Sequence, residues 1–259
     1  MDRFRWMSAL AYANLRSAAS TPWRFIALAG FMAANNFIWF VLWWLFFGVA
    51  GDIRGWTLSD VATLYGIVAV AFGLYTTFFG GARIVAQLAV DGGLDVYLGR
   101  PRSPLLGILF SRCDPTGAGD ILSGAALIAW ATPDPATFAL ALMLAALGTS
   151  VIVSTYVAIN CLVFWCAGRA SFCDQLFECF LILSSMPHLG LPVPAKVLVY
   201  TVLPAAFVGY LPVELLRSFS YGELGAMAGA ALVFPLLASG LFRVGLRRYS
   251  SGNRMLEMR

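Results

Sequence analysis

The sequence predicts an all-α membrane protein with six transmembrane helices, an N-terminal interfacial helix and outer re-entrant helices before the sixth span. Three observations carry this. Hydrophobic residues make up 60% of the 259-residue chain and charged residues 12%, whereas soluble domains are about 45–50% apolar and about 25% charged; mean hydropathy is +0.81. Apolar runs recur at the roughly 20-residue length that crosses a bilayer. The basic residues are also segregated. Following those runs as alternating crossings puts 14 of the 17 lysines and arginines on one side and leaves Arg54, Lys196 and Arg217 on the other. Basic residues stay cytoplasmic, so both termini are expected there and the number of spans is expected to be even. The net charge of +4 is thereby a topology signal spread over short loops, and no nucleic-acid partner is expected.

The elements follow in order. Residues 1–24 intersperse Arg3, Arg5, Arg16 and Arg24 with Phe4, Trp6, Met7, Leu10 and Tyr12, which predicts a helix lying on the inner leaflet. Residues 25–49 form the first span, too long for the apolar core of a cleaved signal, with Trp39, Trp43 and Trp44 in an outer aromatic belt. Asp52 and Arg54 mark a short outer loop, 59–80 the second span and 81–114 a cytoplasmic segment. The third span, 115–132, carries Asp120 near its inner end and closes at "TPDP", a turn sequence. The fourth, 138–166, is long enough to tilt, and "AGRAS" links it to the fifth at 172–186.

Residues 187–215 are apolar but broken by Pro187, Pro192, Pro194, Pro204 and Pro212. Missing backbone donors disfavour a straight span there. Short helices that dip into the outer leaflet and return are expected, with protein or water satisfying their backbone. The sixth span, 224–242, carries the pair Gly225 and Gly229, whose G-x-x-x-G spacing permits close helix contact. No repeat or linker divides the chain, so a single membrane domain, 1–259, is expected.

The absent chemistry narrows function. The chain has one histidine, His188, and one lysine, Lys196. A Walker A loop needs G-x-x-x-x-G-K-[ST], and Lys196 sits in "PVPAKVLVY" instead. Catalytic triads and histidine-based metal motifs need more than one histidine can supply. The chain is therefore expected not to be an enzyme by itself, with no metal and no cofactor of its own. The five cysteines form no C-x-x-C pair and read as reduced, apolar residues.

Polar residues inside the spans are few, and intramembrane ionisable groups face a bundle interior or a water-filled cavity. Asn36, Asn160 and Glu178 are the candidate substrate-pathway residues. Asp174 and Glu178 lie one helical turn apart on one face: either they line an inner mouth, or Asp174 pairs with Arg169 while Glu178 reaches for the interface. Asn35 and Asn36 read better as interhelical hydrogen-bonding groups.

Between the second and third spans, "DGGLDVYLGRPRSP" (residues 91–104) interrupts the apolar pattern. Two glycines break one helix and "LDVYLGRP" begins another, with Leu94 and Leu98 four apart and Pro101 and Pro104 stopping it. A short amphipathic piece held by spans at both ends is either a handle for a soluble partner or a solvated connector on the lipid.

"GGLDVYLGRPRSPL", "GDILSGAALIAWA", "LVFWCAGRAS", "VLPAAFVGYLPVELL" and "LRRYSSGN", in this order, resemble permease subunits of type-2 ABC exporters, and more narrowly the viologen-exporter-like branch. The resemblance runs from about Gly92 to Asn253. It implies a bacterial plasma-membrane permease that pairs with a second permease, identical or homologous, and binds a separate ABC ATPase subunit. It also implies a coupling element at Leu94, Asp95, Leu98, Arg100 and Pro101, and a re-entrant element at about 193–215. "CDPTGAGD" before the third span departs from the family's plainer basic and apolar run there. Two other readings stay open on the residues alone: a stand-alone gradient-driven transporter, and a non-transporting membrane anchor for a cytoplasmic partner.

Overall fold

The computed structural model describes residues 22–100, 103–112, 114, 116–166, 170–187 and 191–250. The expected interfacial helix lies outside them except for its last residues, which open α1; Pro101, Arg169, His188 and the tail after 250 also lie outside. The helices are α1 Pro22–Ala50, α2 Leu58–Phe79, α3 Val85–Val90, α4 Asp95–Leu98, α5 Pro104–Leu109, α6 Gly117–Ala131, α7 Pro135–Cys161, α8 Ala170–Ser184, α9 Val193–Val197, α10 Tyr210–Arg217 and α11 Tyr221–Leu246. Among the described residues the only β pairing is an isolated bridge between Ile53 and Trp56.

Among the described residues, four stretches are long and apolar enough to cross a membrane: Phe25–Ala50, Leu58–Val90, Pro135–Phe164 and Tyr221–Leu246. The sequence predicts six. The difference lies in α6 and α8, each 15 residues. At about 1.5 Å per residue they rise about 22 Å, short of the roughly 30 Å hydrocarbon core. Local chemistry shortens α6. Asp114 Oδ1 accepts from the Thr116 amide (3.0 Å) and hydroxyl (2.7 Å), a turn that delays the start to Gly117, and "TPDP" ends it.

The helix starts are built as the sequence suggests. Thr57 and Asp60 cap α2 reciprocally: the Thr57 amide donates to Asp60 Oδ2 (2.8 Å) and the Asp60 amide to Thr57 Oγ1 (3.3 Å). Asp134 caps α7 ahead of Pro135, accepting from the Thr137 amide (2.8 Å) and hydroxyl (2.7 Å). Those bonds hold the Asp134 carboxyl below the usual carboxylate range.

The hub of the bundle is α2, flanked by α6 and α7, with α11 packed along α7 and α1 along α6. Helices meet this closely only where side chains are absent. A Cβ on Gly66 would stand 2.8 Å from the Gly124 carbonyl oxygen, and one on Gly124 would stand 2.6 Å from that of Gly66. A Cβ on Gly73 would likewise meet the Gly117 oxygen at 2.6 Å. The two pairs are seven residues apart on each helix, two turns, so they form one antiparallel seam. Gly225 and Gly229, the pair with the recognisable spacing, would have nothing within 4 Å of an added Cβ and face open space. Outside the seam, α1 and α11 present large apolar side chains outward, among them Phe31, Phe37, Leu232 and Leu236, as lipid-facing helices do.

Of residues 187–215, expected to be re-entrant, 191–215 contain α9, a π-turn at Leu198–Val202, a 3-10 turn at Ala205–Phe207 and the start of α10. Arg217 at the end of α10 ties this segment to the α1–α2 loop. Its Nη2 donates to the Gly55 carbonyl at 2.7 Å, its Nε lies 3.6 Å from Asp60 Oδ1, and its guanidinium sits 5.6 Å over the Trp56 ring. Trp56 is buried and stacks on Tyr210 at 5.6 Å and 8°.

Candidate functional site

The segment joining α2 to α6 turns back on the end of the bundle opposite Arg217. A 3-10 turn at Gly80–Ile84 leads into α3, and the chain then reverses at Gly92, whose φ of +76° lies in the left-handed region that favours glycine. The Leu94 amide donates to the Leu88 carbonyl at 3.2 Å, and α4 follows as one turn. A solvated connector would leave all its side chains outside. Here Leu94 is completely buried, while Val96 is 61% and Leu98 41% exposed. Asp95 and Arg100 are also exposed, the Arg100 guanidinium lying 5.3 Å over the Tyr97 ring. Leu94 and Leu98 are one helical turn apart, the Leu98 amide donating to the Leu94 carbonyl at 3.0 Å, but only the start of this turn meets the bundle, so Leu94 is the anchor and Val96 and Leu98 are the surface.

Two further ties fix this hook to the bundle, the Asn160 cap and the chain running into α5. Asn160, near the end of α7, is 1% exposed. Its Oδ1 accepts from the Ala86 amide at 3.0 Å, and its Nδ2 donates to the Tyr156 carbonyl at 2.9 Å. The Ala86 amide is one of the first-turn donors of α3 that no carbonyl of its own helix can reach, so Asn160 caps α3 from another helix. Below α11, the Tyr249 hydroxyl is enclosed beside Asp95; burial and that carboxylate push it up to about 12. The chain itself then leads from the hook into α5, whose Leu105, Ile108 and Leu109 are buried.

The three candidate pathway residues are not brought together. Asn36 on α1 donates through Nδ2 to Asp120 Oδ1 (2.7 Å) and Ser123 Oγ (2.9 Å) on α6, an interhelical bond as the sequence suggests. Asp120 is 5% exposed. Asn160 is the cap just described, with both ends of its amide used inside the protein. Glu178 is exposed on α8. Asp174, one turn earlier, is half-buried and accepts from the Tyr156 hydroxyl at 2.8 Å, beneath the Tyr156–Phe177 ring stack at 3.6 Å and 3°. The shared face of Asp174 and Glu178 is therefore split between the core and the surface. Of the four described cysteines, all unpaired, Cys161 and Cys173 are buried while Cys166 and Cys179 are exposed. Sequence reasoning passes over Val96, although it stands inside the hook, and Tyr249, which lies in "LRRYSSGN".

Apolar helices of spanning length and lipid-type outer faces define a multi-pass membrane protein, with a short anchored hook between two of the helices. A family model described as ABC-2 family transporter protein matches residues 33–252. The chain belongs to that family and is a membrane transport component. No curated protein and no solved structure matches the chain.

Proposed function

We propose that this chain is the permease half of an ATP-driven exporter, coupled through the hook to a separate ATPase subunit. The observation that carries the reading is the hook's division of labour. Leu94 and Asn160 hold its base to the bundle, while Val96, Leu98 and Arg100 stand outside it. A partner pressing on that surface moves elements joined to α2, α5 and α7. The coupling contact is then Asp95, Val96, Leu98 and Arg100, continuing to Pro101, with Leu94 as its seat. Nothing in the sequence cradles ATP, which fits hydrolysis on another chain.

In this reading α6 and α8 are the two remaining spans, short because the bilayer thins or neighbouring helices cover their ends. The hook and both termini are cytoplasmic in a bacterial plasma membrane, and residues 187–215 return at the outer face. A second permease, of the viologen-exporter-like branch or another, completes the pathway. The test is gentle purification of the tagged chain from its native membrane, with mass spectrometry of what accompanies it. A stoichiometric ATPase carrying a Walker A loop is the expected result. A chain that purifies alone in several mild detergents and transports along an ion gradient would refute the reading.

A further inference from the structure

Pro235 stands inside α11, where its missing N–H leaves the Ala231 carbonyl without its intrahelical donor. The Ser150 hydroxyl of α7 replaces that donor, at 2.8 Å from Ala231 O. Next to this repair, in the half of the bundle nearer the hook, lies a pocket of ≈ 280 Å³ between α5, α7 and α11, about half open to the outside of the bundle. It is nearly twice the roughly 150 Å³ that takes benzene, and sits at the lower edge of the roughly 300–1,000 Å³ of small-molecule sites.

The wall chemistry selects an occupant. Leu105, Leu109, Val153 and Val157 make it apolar, and no ionisable side chain lines it among the described residues. A charged ligand would therefore lose hydration with no counter-charge to replace it. Four hydroxyls also line it, and three of them have their protons already committed. Thr149 donates to the Ala71 and Ala145 carbonyls (3.2 and 3.0 Å), Ser150 to Ala231 O, and Ser154 to the Ser150 carbonyl (2.7 Å). Those three have acceptor lone pairs left, and Ser239 adds a fourth hydroxyl, so the wall offers more acceptors than donors. Two of the walls are also elements tied to the hook: α7 through Asn160 and α5 through the chain.

We propose that this cavity binds a compact, uncharged, largely apolar molecule bearing a hydrogen-bond donor, and that its walls carry occupancy to the hook. The binding stands apart from any ATPase; only the transmission rests on the exporter reading. The probe is a diazirine-bearing octanol, photolysed with the purified full chain in lipid nanodiscs and mapped by peptide mass spectrometry. The expected result is saturable adducts within residues 146–157 and 235–239, displaced by unlabelled octanol. They should be lost in two independent filling variants, Ala146→Phe and Ser239→Phe, with apparent Kd raised at least about tenfold, while non-saturable labelling of lipid-facing α1 persists. Adducts that do not saturate, or that survive both fillings, overturn the site.

Extraction of the same preparation separates the sources. A stoichiometric lipid whose removal increases labelling marks a membrane-derived ligand, and saturable labelling of an empty chain marks a ligand arriving as cargo. Octanol should also change the rate of thiol modification at Val96→Cys in a chain lacking its exposed cysteines, and should not do so in the filled variants. Binding without that change refutes the transmission. Neither result depends on whether an ATPase co-purifies, so failure of the site and failure of the exporter reading are distinguishable.

Discussion

Replacing Gly124 by alanine tests whether the α2–α6 seam organises the bundle. The new Cβ would lie 2.6 Å from the Gly66 carbonyl oxygen, 2.9 Å from the Val70 nitrogen and 3.0 Å from the Ala69 Cβ. Ordinary contact requires roughly 3.5 Å, so the helices must part by about 1 Å. None of these three atoms can rotate away, which places the cost at the upper end of overpacking, about 3 kcal/mol. Alanine returns about 1 kcal/mol through helix propensity, leaving a net loss of about 2 kcal/mol. At about 2–4 °C per kcal/mol for a domain of this size, the melting temperature in detergent should fall by about 4–8 °C. Gly225→Ala and Gly229→Ala, with nothing within 4 Å, should leave it unchanged or slightly higher. The assay is loss of monodisperse protein on heating, followed by size-exclusion chromatography. A Gly124→Ala chain as stable as the parent would refute the seam as the organising contact.

Two further substitutions probe the ends of the bundle. Asn160→Leu leaves the Ala86 amide buried without its acceptor, which should cost about 1–3 kcal/mol and speed proteolysis within residues 91–100; unchanged cleavage there would remove Asn160 as the pin of the hook. Arg217→Ala should free the α1–α2 loop, raising amide hydrogen exchange at residues 51–57. Arg217→Lys should recover less than half of the protection, because one ammonium cannot serve Gly55, Asp60 and Trp56 together as the guanidinium fork does.

Much of the fold is legible in the sequence because bilayer length is a one-dimensional constraint. The long helices sit within about five residues of the expected bounds, and the prolines of 187–215 break that segment as their missing donors require. What is not legible depends on pairing across the chain. Gly66, Gly73, Gly117 and Gly124 are seven apart within two separate segments, a spacing with no local signature, whereas the conspicuous Gly225–Gly229 pair faces open space. The hook announces itself by its polarity, yet its spacing does not say that this one-turn helix meets the bundle only at Leu94 and leaves Leu98, one turn later, at the surface. Asn160 reads as a pathway group because a polar residue in an apolar run is ambiguous until its partner is known. The partner is a backbone amide 74 residues away, which no residue type announces.

The most direct test of the account is a cross-link from the hook itself. Val96 is exposed, so Val96→Cys in a chain with Cys113, Cys166 and Cys179 changed to serine gives a reporter at the centre of the hook surface. Treated in native membranes with a short thiol-to-amine cross-linker and analysed by mass spectrometry, it should join the chain to a Walker-containing ATPase subunit. A complex that still transports its cargo, whose introduced thiol reacts readily with thiol reagents yet never links to an ATPase, would contradict the hook as the coupling contact.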